Sequence, residues 1–239
     1  MLLASVTLAV AQSMNTIQVQ TSPNGVNYLT DSKGMTLYYY TKDANGQSAC
    51  YGGCATAWPI FNAENILVPA QLKASDFSSI TRTDGTKQTT YLGWPLYYWF
   101  KDAKAGDMTG EGVQKVWYVL KVPAYSVMVA TDPKLGTYLV DGNGMTLYWY
   151  TPDTVGMSAC TGGCIKAWPA FDPSSFVVPS ALNPADFGTF QRSDGVPQAT
   201  YKGYPLYYWV KDAKRGDVTG QNVGKVWFVI DPEKFPPKM

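Results

Sequence analysis

The chain has 239 residues, of which 46% are hydrophobic, 14% aromatic and only 15% charged, with a formal net charge of +1. That apolar content excludes a disordered chain, and the near-neutral balance excludes the basic footprint of a nucleic-acid binder. Histidine is absent, which removes His acid–base catalysis, Ser–His and Cys–His nucleophiles, His-ligated metal and a His-driven pH switch.

Leu2 to Ala11 is a short apolar run ending in Ala9-Val10-Ala11. It reads either as the end of a signal peptide or as a retained apolar strand, and it is too short to span a bilayer as a helix. Residues 1–14 are set apart on that ground. From Ile17 the pattern alternates, and Ile17, Val19 and Tyr28 predict strand, as do Val127, Val129 and Tyr138 later. Asp31-Ser32-Lys33-Gly34 and Asp141-Gly142-Asn143-Gly144 carry turn chemistry. The flanking segments are expected to pair as a hairpin whose second arm is Met35–Thr41. In that arm a period of two sends Leu37, Tyr39 and Thr41 to one face and Tyr38 and Tyr40 to the other. Asp43 follows the strand, placed to accept backbone N–H groups of the next loop. A short helix or helical turn is expected from Pro69, through Leu72 and Phe77, to Ile80. Gln88–Gly93 and Leu96–Lys101 predict a second hairpin bent at Gly93-Trp94-Pro95, and Val113–Val122 predicts a closing strand. Val122-Pro123-Ala124 is a seam, after which the pattern begins again.

Residues 28–120 recur as 138–230 without insertion or deletion, and 52 of the 93 aligned positions are identical. A fainter repeat lies inside each copy, because Gly34–Asp43 returns as Gly93–Asp102. The chain therefore carries Tyr-x-(Tyr/Trp)-x-x-Asp four times: Tyr38/Tyr40/Asp43, Tyr97/Trp99/Asp102, Tyr148/Tyr150/Asp153 and Tyr207/Trp209/Asp212. In a doubled chain any site is expected twice. The expected fold is all-β: two tandem antiparallel domains, 15–124 and 125–235, each of two hairpin units with long loops and at most a short helix. The alternative packs the four units as one propeller-like body.

Cys50/Cys54 and Cys160/Cys164 each lie in Ser-Ala-Cys-x-Gly-Gly-Cys. Outside the cytoplasm each pair reads as a small disulfide loop, since the glycines let the sulfurs approach. A redox-active dithiol and a thiolate site for a soft metal, helped by Met35 or Met145, remain open. Asp107 with the Gly110 loop, repeated at Asp217 and Gly220, reads as a turn, with calcium binding as the rival. Trp94 and Tyr204 sit at bends and are the candidate ligand contacts, as stacking platforms for sugars. No cofactor and no metal site is expected from these residues.

The four Tyr-x-aromatic-x-x-Asp motifs, Cys-x-Gly-Gly-Cys-x-x-x-Trp-Pro and Asp-Gly-x-x-Gln-x-x-Tyr-x-Gly-x-Pro-Leu-Tyr-Tyr together resemble one family, over about residues 16–122 and 126–232. It is the secreted-repeat, predicted-lipoprotein family of bacteria and archaea named for the tyrosine motif. The resemblance implies export and tandem repeats, with a function that is undefined. Members often carry a lipobox cysteine, which is not seen here, and often have His where this chain has Trp94 and Tyr204. The expected role is a non-enzymatic extracellular or cell-surface structural protein, an envelope scaffold or filament subunit. The motif residues then serve packing, and the partners are further copies of the chain or envelope components. An extracellular glycan- or ligand-binding module is the alternative, with a metal or redox role behind both.

Overall fold

A computed structural model describes residues 16–236. The apolar run at 1–14 lies outside them. In the first copy β1 (Ile17–Thr21) and β2 (Asn27–Asp31) form an antiparallel hairpin with Ile17 opposite Asp31 and Thr21 opposite Asn27. β3 (Tyr38–Tyr40) is followed by a 3-10 turn at Thr41–Asp43 and then by α1 (Gly53–Ala57). β4 (Phe77–Thr81), β5 (Lys87–Tyr91) and β6 (Trp94–Pro95) make a three-stranded meander, and β7 (Trp117–Val119) closes the copy by pairing with β3.

The second copy repeats this order. β8 (Val127–Asp132) pairs with β9 (Gly136–Asp141), and β10 (Tyr148–Tyr150) precedes α2 (Gly163–Ala167). β11 (Phe187–Gln191), β12 (Pro197–Tyr201) and β13 (Tyr204–Pro205) form the second meander, and β14 (Trp227–Val229) pairs with β10. The all-β expectation holds, with small antiparallel sheets joined by long ordered loops.

Local expectations change in four places. The closing strand is only Trp117–Val119, after a 3-10 turn at Val113–Lys115, and the arm that pairs with β5 is Trp94–Pro95 rather than Leu96–Lys101. The turn at Asp31–Gly34 forms, but its second arm stays with β2 for one bridge, Thr30 to Thr36, and then leaves. Its main partner is the distant β7, because Tyr40 and Trp117 stand directly opposite and stack at 4.1 Å. The helix expected from Pro69 is only a 3-10 turn at Ala74–Asp76, and Phe77–Ile80 belong to β4. Pairing with β5, which sets Phe77 against Tyr91, overrides the local pattern.

The two copies do not have separate cores. One buried cluster runs from Leu29, Leu37 and Tyr39 through Trp94 to Val127–Ala130, Leu147 and Leu206. Each copy adds a smaller cluster of its own, Tyr38, Cys50, Trp58, Tyr97 and Trp117 in the first and Tyr148, Cys160, Trp168, Tyr207 and Trp227 in the second. The period of two read in Met35–Thr41 holds: Leu37 and Tyr39 enter the common core, while Tyr38 and Tyr40 enter the local cluster.

Candidate functional site

The four motifs meet in two pairs. Tyr38 and Tyr97 face each other across an antiparallel bridge, N–H to carbonyl in both directions at 2.9 and 3.0 Å. Their hydroxyls then cross. Tyr38 donates to Asp102 Oδ2 at 2.7 Å, and Tyr97 donates to Asp43 Oδ2 at 2.6 Å. Each tyrosine thus bonds the aspartate of the other unit. In the second copy Tyr148 donates to Asp212 at 2.6 Å and Tyr207 to Asp153 at 2.7 Å. All four tyrosines are fully buried.

The second carboxylate oxygens tie down the following loops. Asp43 Oδ1 accepts the Ala49 N–H at 2.7 Å, as Asp153 does from Ala159. Asp102 Oδ1 accepts the N–H and hydroxyl of Thr109, and Asp212 does the same with Thr219. Burial pushes the Asp43 carboxyl up to about 7, against the lowering pull of the Tyr97 hydroxyl, the Ala49 N–H, Arg82 and Arg215. Burial also raises Asp153 and Asp212, and it raises the phenols of Tyr38, Tyr97, Tyr148 and Tyr207, with the facing carboxylate acting the same way.

A buried arginine completes each pair. Arg82 Nη1 donates to Ser48 Oγ and to Gln88 Oε1, and Nη2 donates to the Cys50 carbonyl at 2.7 Å. The Ser48 hydroxyl lies 2.8 Å from Tyr97 Oη, whose one proton goes to Asp43, so the serine donates to the phenol oxygen and the guanidinium reaches the crossed pair through one hydroxyl. Arg192, Ser158, Gln198 and Cys160 repeat the arrangement. Sequence reasoning passed over Arg82 and Arg192. The available signal was a cation kept at the same place in both copies of a chain with few charges.

The second aromatic of each motif ends a stack of four rings. Tyr40, Trp117, Trp58 and Trp99 follow one another at 4.1, 3.8 and 4.1 Å, and Tyr150, Trp227, Trp168 and Trp209 at 4.2, 3.8 and 4.1 Å. Gly110 lies against this stack. A Cβ there would stand 2.8 Å from Trp58 Cη2 and 3.0 Å from Tyr38 Cε1, so only glycine lets the backbone approach. Its N–H reaches Tyr38 Oη at 3.3 Å. The neighbouring Asp107 turns its carboxylate onto the N–H groups of Ala103 and Lys104, and Asp217 onto those of Ala213 and Lys214.

Cys50 is bonded to Cys54 and Cys160 to Cys164, with Cα separations of 5.2 and 5.3 Å. Bonded sulfurs offer no thiolate, so the soft-metal site with Met35 or Met145 is not formed. The two candidate ligand contacts, Trp94 and Tyr204, have different surroundings. Trp94 is 1% exposed, its Nε1–H donates to the Gly142 carbonyl, and the Arg215 guanidinium covers its ring at 4.6 Å. It is a contact between copies rather than a platform for a ligand. Tyr204 is half-buried, with its ring against Phe235 at 5.4 Å and Trp149 at 6.1 Å.

Arg215 has no counterpart in the first copy, where Ala105 stands at its position. Its Nε donates to the Ala44 carbonyl and its Nη1 to the Leu92 carbonyl, both at 2.8 Å. Burial pulls it down to about 10, which leaves it charged at neutral pH. Beside this contact a cavity of about 430 Å³ opens between the copies, lined by Leu92, Tyr125, Asp141, Asn143, Phe171 and Tyr208. Asp141 already accepts the Tyr208 hydroxyl and the N–H groups of Asn143 and Met145.

These features define a class: disulfide-stapled, all-β repeat proteins whose units are joined in pairs by exchanged tyrosine–aspartate bonds. A family model described as a secreted repeat of unknown function matches residues 21–62, 78–121, 129–172 and 188–231, one motif in each match. The chain belongs to that secreted-repeat family. No curated protein and no solved structure matches it. Among the described residues no helix is long and apolar enough to cross a membrane.

Proposed function

We propose that the chain is a non-enzymatic structural module of the cell surface or extracellular space, used as an envelope scaffold or filament subunit. One observation carries the reading. The four motif tyrosines and their aspartates, the most repeated polar groups of the chain, are buried and bonded to each other. Their hydrogen-bonding capacity goes into joining units, and the disulfides and ring stacks serve the same end. Electron microscopy and light scattering on purified full-length protein test this reading. Sheets, filaments or discrete oligomers are the expected result, and a monomer at every concentration overturns it.

The cavity between the copies supports a second reading, a binding site for a glycan or another small polar ligand. Its carboxylate, amide and phenol groups beside Phe171 are the usual mixture for such ligands. Trp94 lies next to it and reports on it, so a fluorescence titration across a glycan panel is the appropriate measurement. No change in emission with any glycan removes this reading.

A further inference from the structure

The two copies meet through unlike surfaces. The first contributes the end of its motif strand and the loop beyond, and the second contributes its opening strand. Thr41 and Thr131 hydroxyls lie 2.8 Å apart, and Arg215 enters over Gly93 to reach the Ala44 and Leu92 carbonyls. As a result Val127–Ala130 of β8 are buried on both faces, as are Thr41, Ala44 and Trp94. A contact between unlike faces of like units does not exhaust itself, because the molecule keeps one free face of each kind, one on each copy.

We propose that this contact recurs between molecules, the second copy of one molecule receiving the first copy of the next, so that the chain assembles head to tail. The inference rests on the assembly reading above and gives it a partner, a second copy of this chain, and a direction. The two faces it needs are open among the described residues. Thr151 and Tyr204, the counterparts of Thr41 and Trp94, are only half-buried, and Thr154, the counterpart of Ala44, is exposed. At the other end Gln18, Val19 and Gln20 of β1 are half-exposed where Met128, Val129 and Ala130 of β8 are covered.

The substitutions between the copies fit each other across the proposed junction. Inside the molecule the loop Ala44-Asn45-Gly46-Gln47 faces Arg215, a long cation. At the junction the loop Thr154-Val155-Gly156-Met157 meets Ala105, which has nothing to insert. Val155 already fills the space over Gly203 that Arg215 takes over Gly93. Val155 is 67% exposed and Met157 64%, both exposed and apolar. A terminal repeat facing water is expected to be polar there, whereas a face that receives another unit is not.

The test uses the full chain carrying either Ala105→Cys or Val155→Cys, both at exposed positions. Under mild oxidation a mixture of the two variants is expected to give disulfide-linked dimers, while neither variant alone does. Linking of Val155→Cys to itself shows a two-fold contact and overturns the head-to-tail direction. A second variant, Val155→Asp with Met157→Asp, is expected to lose every species above the monomer in sedimentation velocity with its far-UV circular dichroism unchanged. If wild type forms polymers that survive this variant and the mixture does not cross-link, the junction is wrong and the assembly reading stands. If wild type is monomeric at all concentrations, both fail.

Discussion

Asp43 is fully buried and carries its proton into the neutral range, and the consequence has a definite sign. Its folded value of about 7 lies above its ordinary 3.8. Between those values the unfolded chain releases a proton that the folded chain keeps, so stability is greatest at low pH and declines as pH rises through the window. Asp43→Asn is expected to flatten that decline. Melting temperatures of the variant and wild type between pH 4 and 7 check it, and parallel curves exclude the effect; Asp153 and Asp212 act in the same direction in both proteins and cancel. The crossed bonds make a separate prediction. Tyr38→Phe leaves Asp102 short of one donor and should cost about 1.5–3 kcal/mol in denaturant unfolding. In double-mutant cycles Tyr38 should couple to Asp102 by about 1 kcal/mol or more, and not to Asp43 of its own motif. The residues of the motif were legible in the sequence because they repeat. Their partners were not, since Tyr38 to Asp102 and Tyr97 to Asp43 are bonds between segments that only the bridge of Tyr38 to Tyr97 brings together.

Secondary structure here follows from what the elements touch more than from local preference. α1 is five residues long, has no buried residue of its own and starts at Gly53, a poor helix former. The Cys50–Cys54 bond and the Arg82 link to the Cys50 carbonyl hold it in place. That is why composition gave no sign of it, while the end of Pro69–Ile80, which reads as a helix, is drawn into β4 from Phe77 on by pairing with β5. Closing so short a loop stabilises by roughly 2 kcal/mol on the loop-entropy model. Replacing Cys50 and Cys54 together by serine should lower unfolding free energy by about that amount, and no change would show that the ring stack alone fixes the segment. Gly110→Ala drives a methyl group into the stack and should cost about 1–3 kcal/mol. The same variant should weaken the near-ultraviolet circular dichroism of the Trp58–Trp117 pair, whose rings lie 3.8 Å apart.

At the scale of the molecule, the repeat was readable and the core shared between its copies was not. A shift of 110 positions shows two copies, but whether each buries its own core depends on β8, whose sequence Val127-Met128-Val129-Ala130 is apolar on both faces. A strand of that kind is covered from two sides, and in the fold the second side is the first copy. Fragments 16–124 and 125–236 made separately are therefore expected to melt without cooperativity. Mixed together they should recover a transition. A sharp, independent transition in either fragment would show that the common core is dispensable.

The exchanged bonds also restrict how a protein of this kind can lengthen. A unit added singly would bring a phenol and a carboxylate into the interior with no mate for either, and such orphaned groups cost about 1–3 kcal/mol apiece. Growth by twos avoids that cost. The strong likeness of the 110-residue halves, beside the faint likeness inside each half, is the record such parity leaves. A relative with an odd number of motifs must therefore have altered the tyrosine or aspartate of its unmated unit.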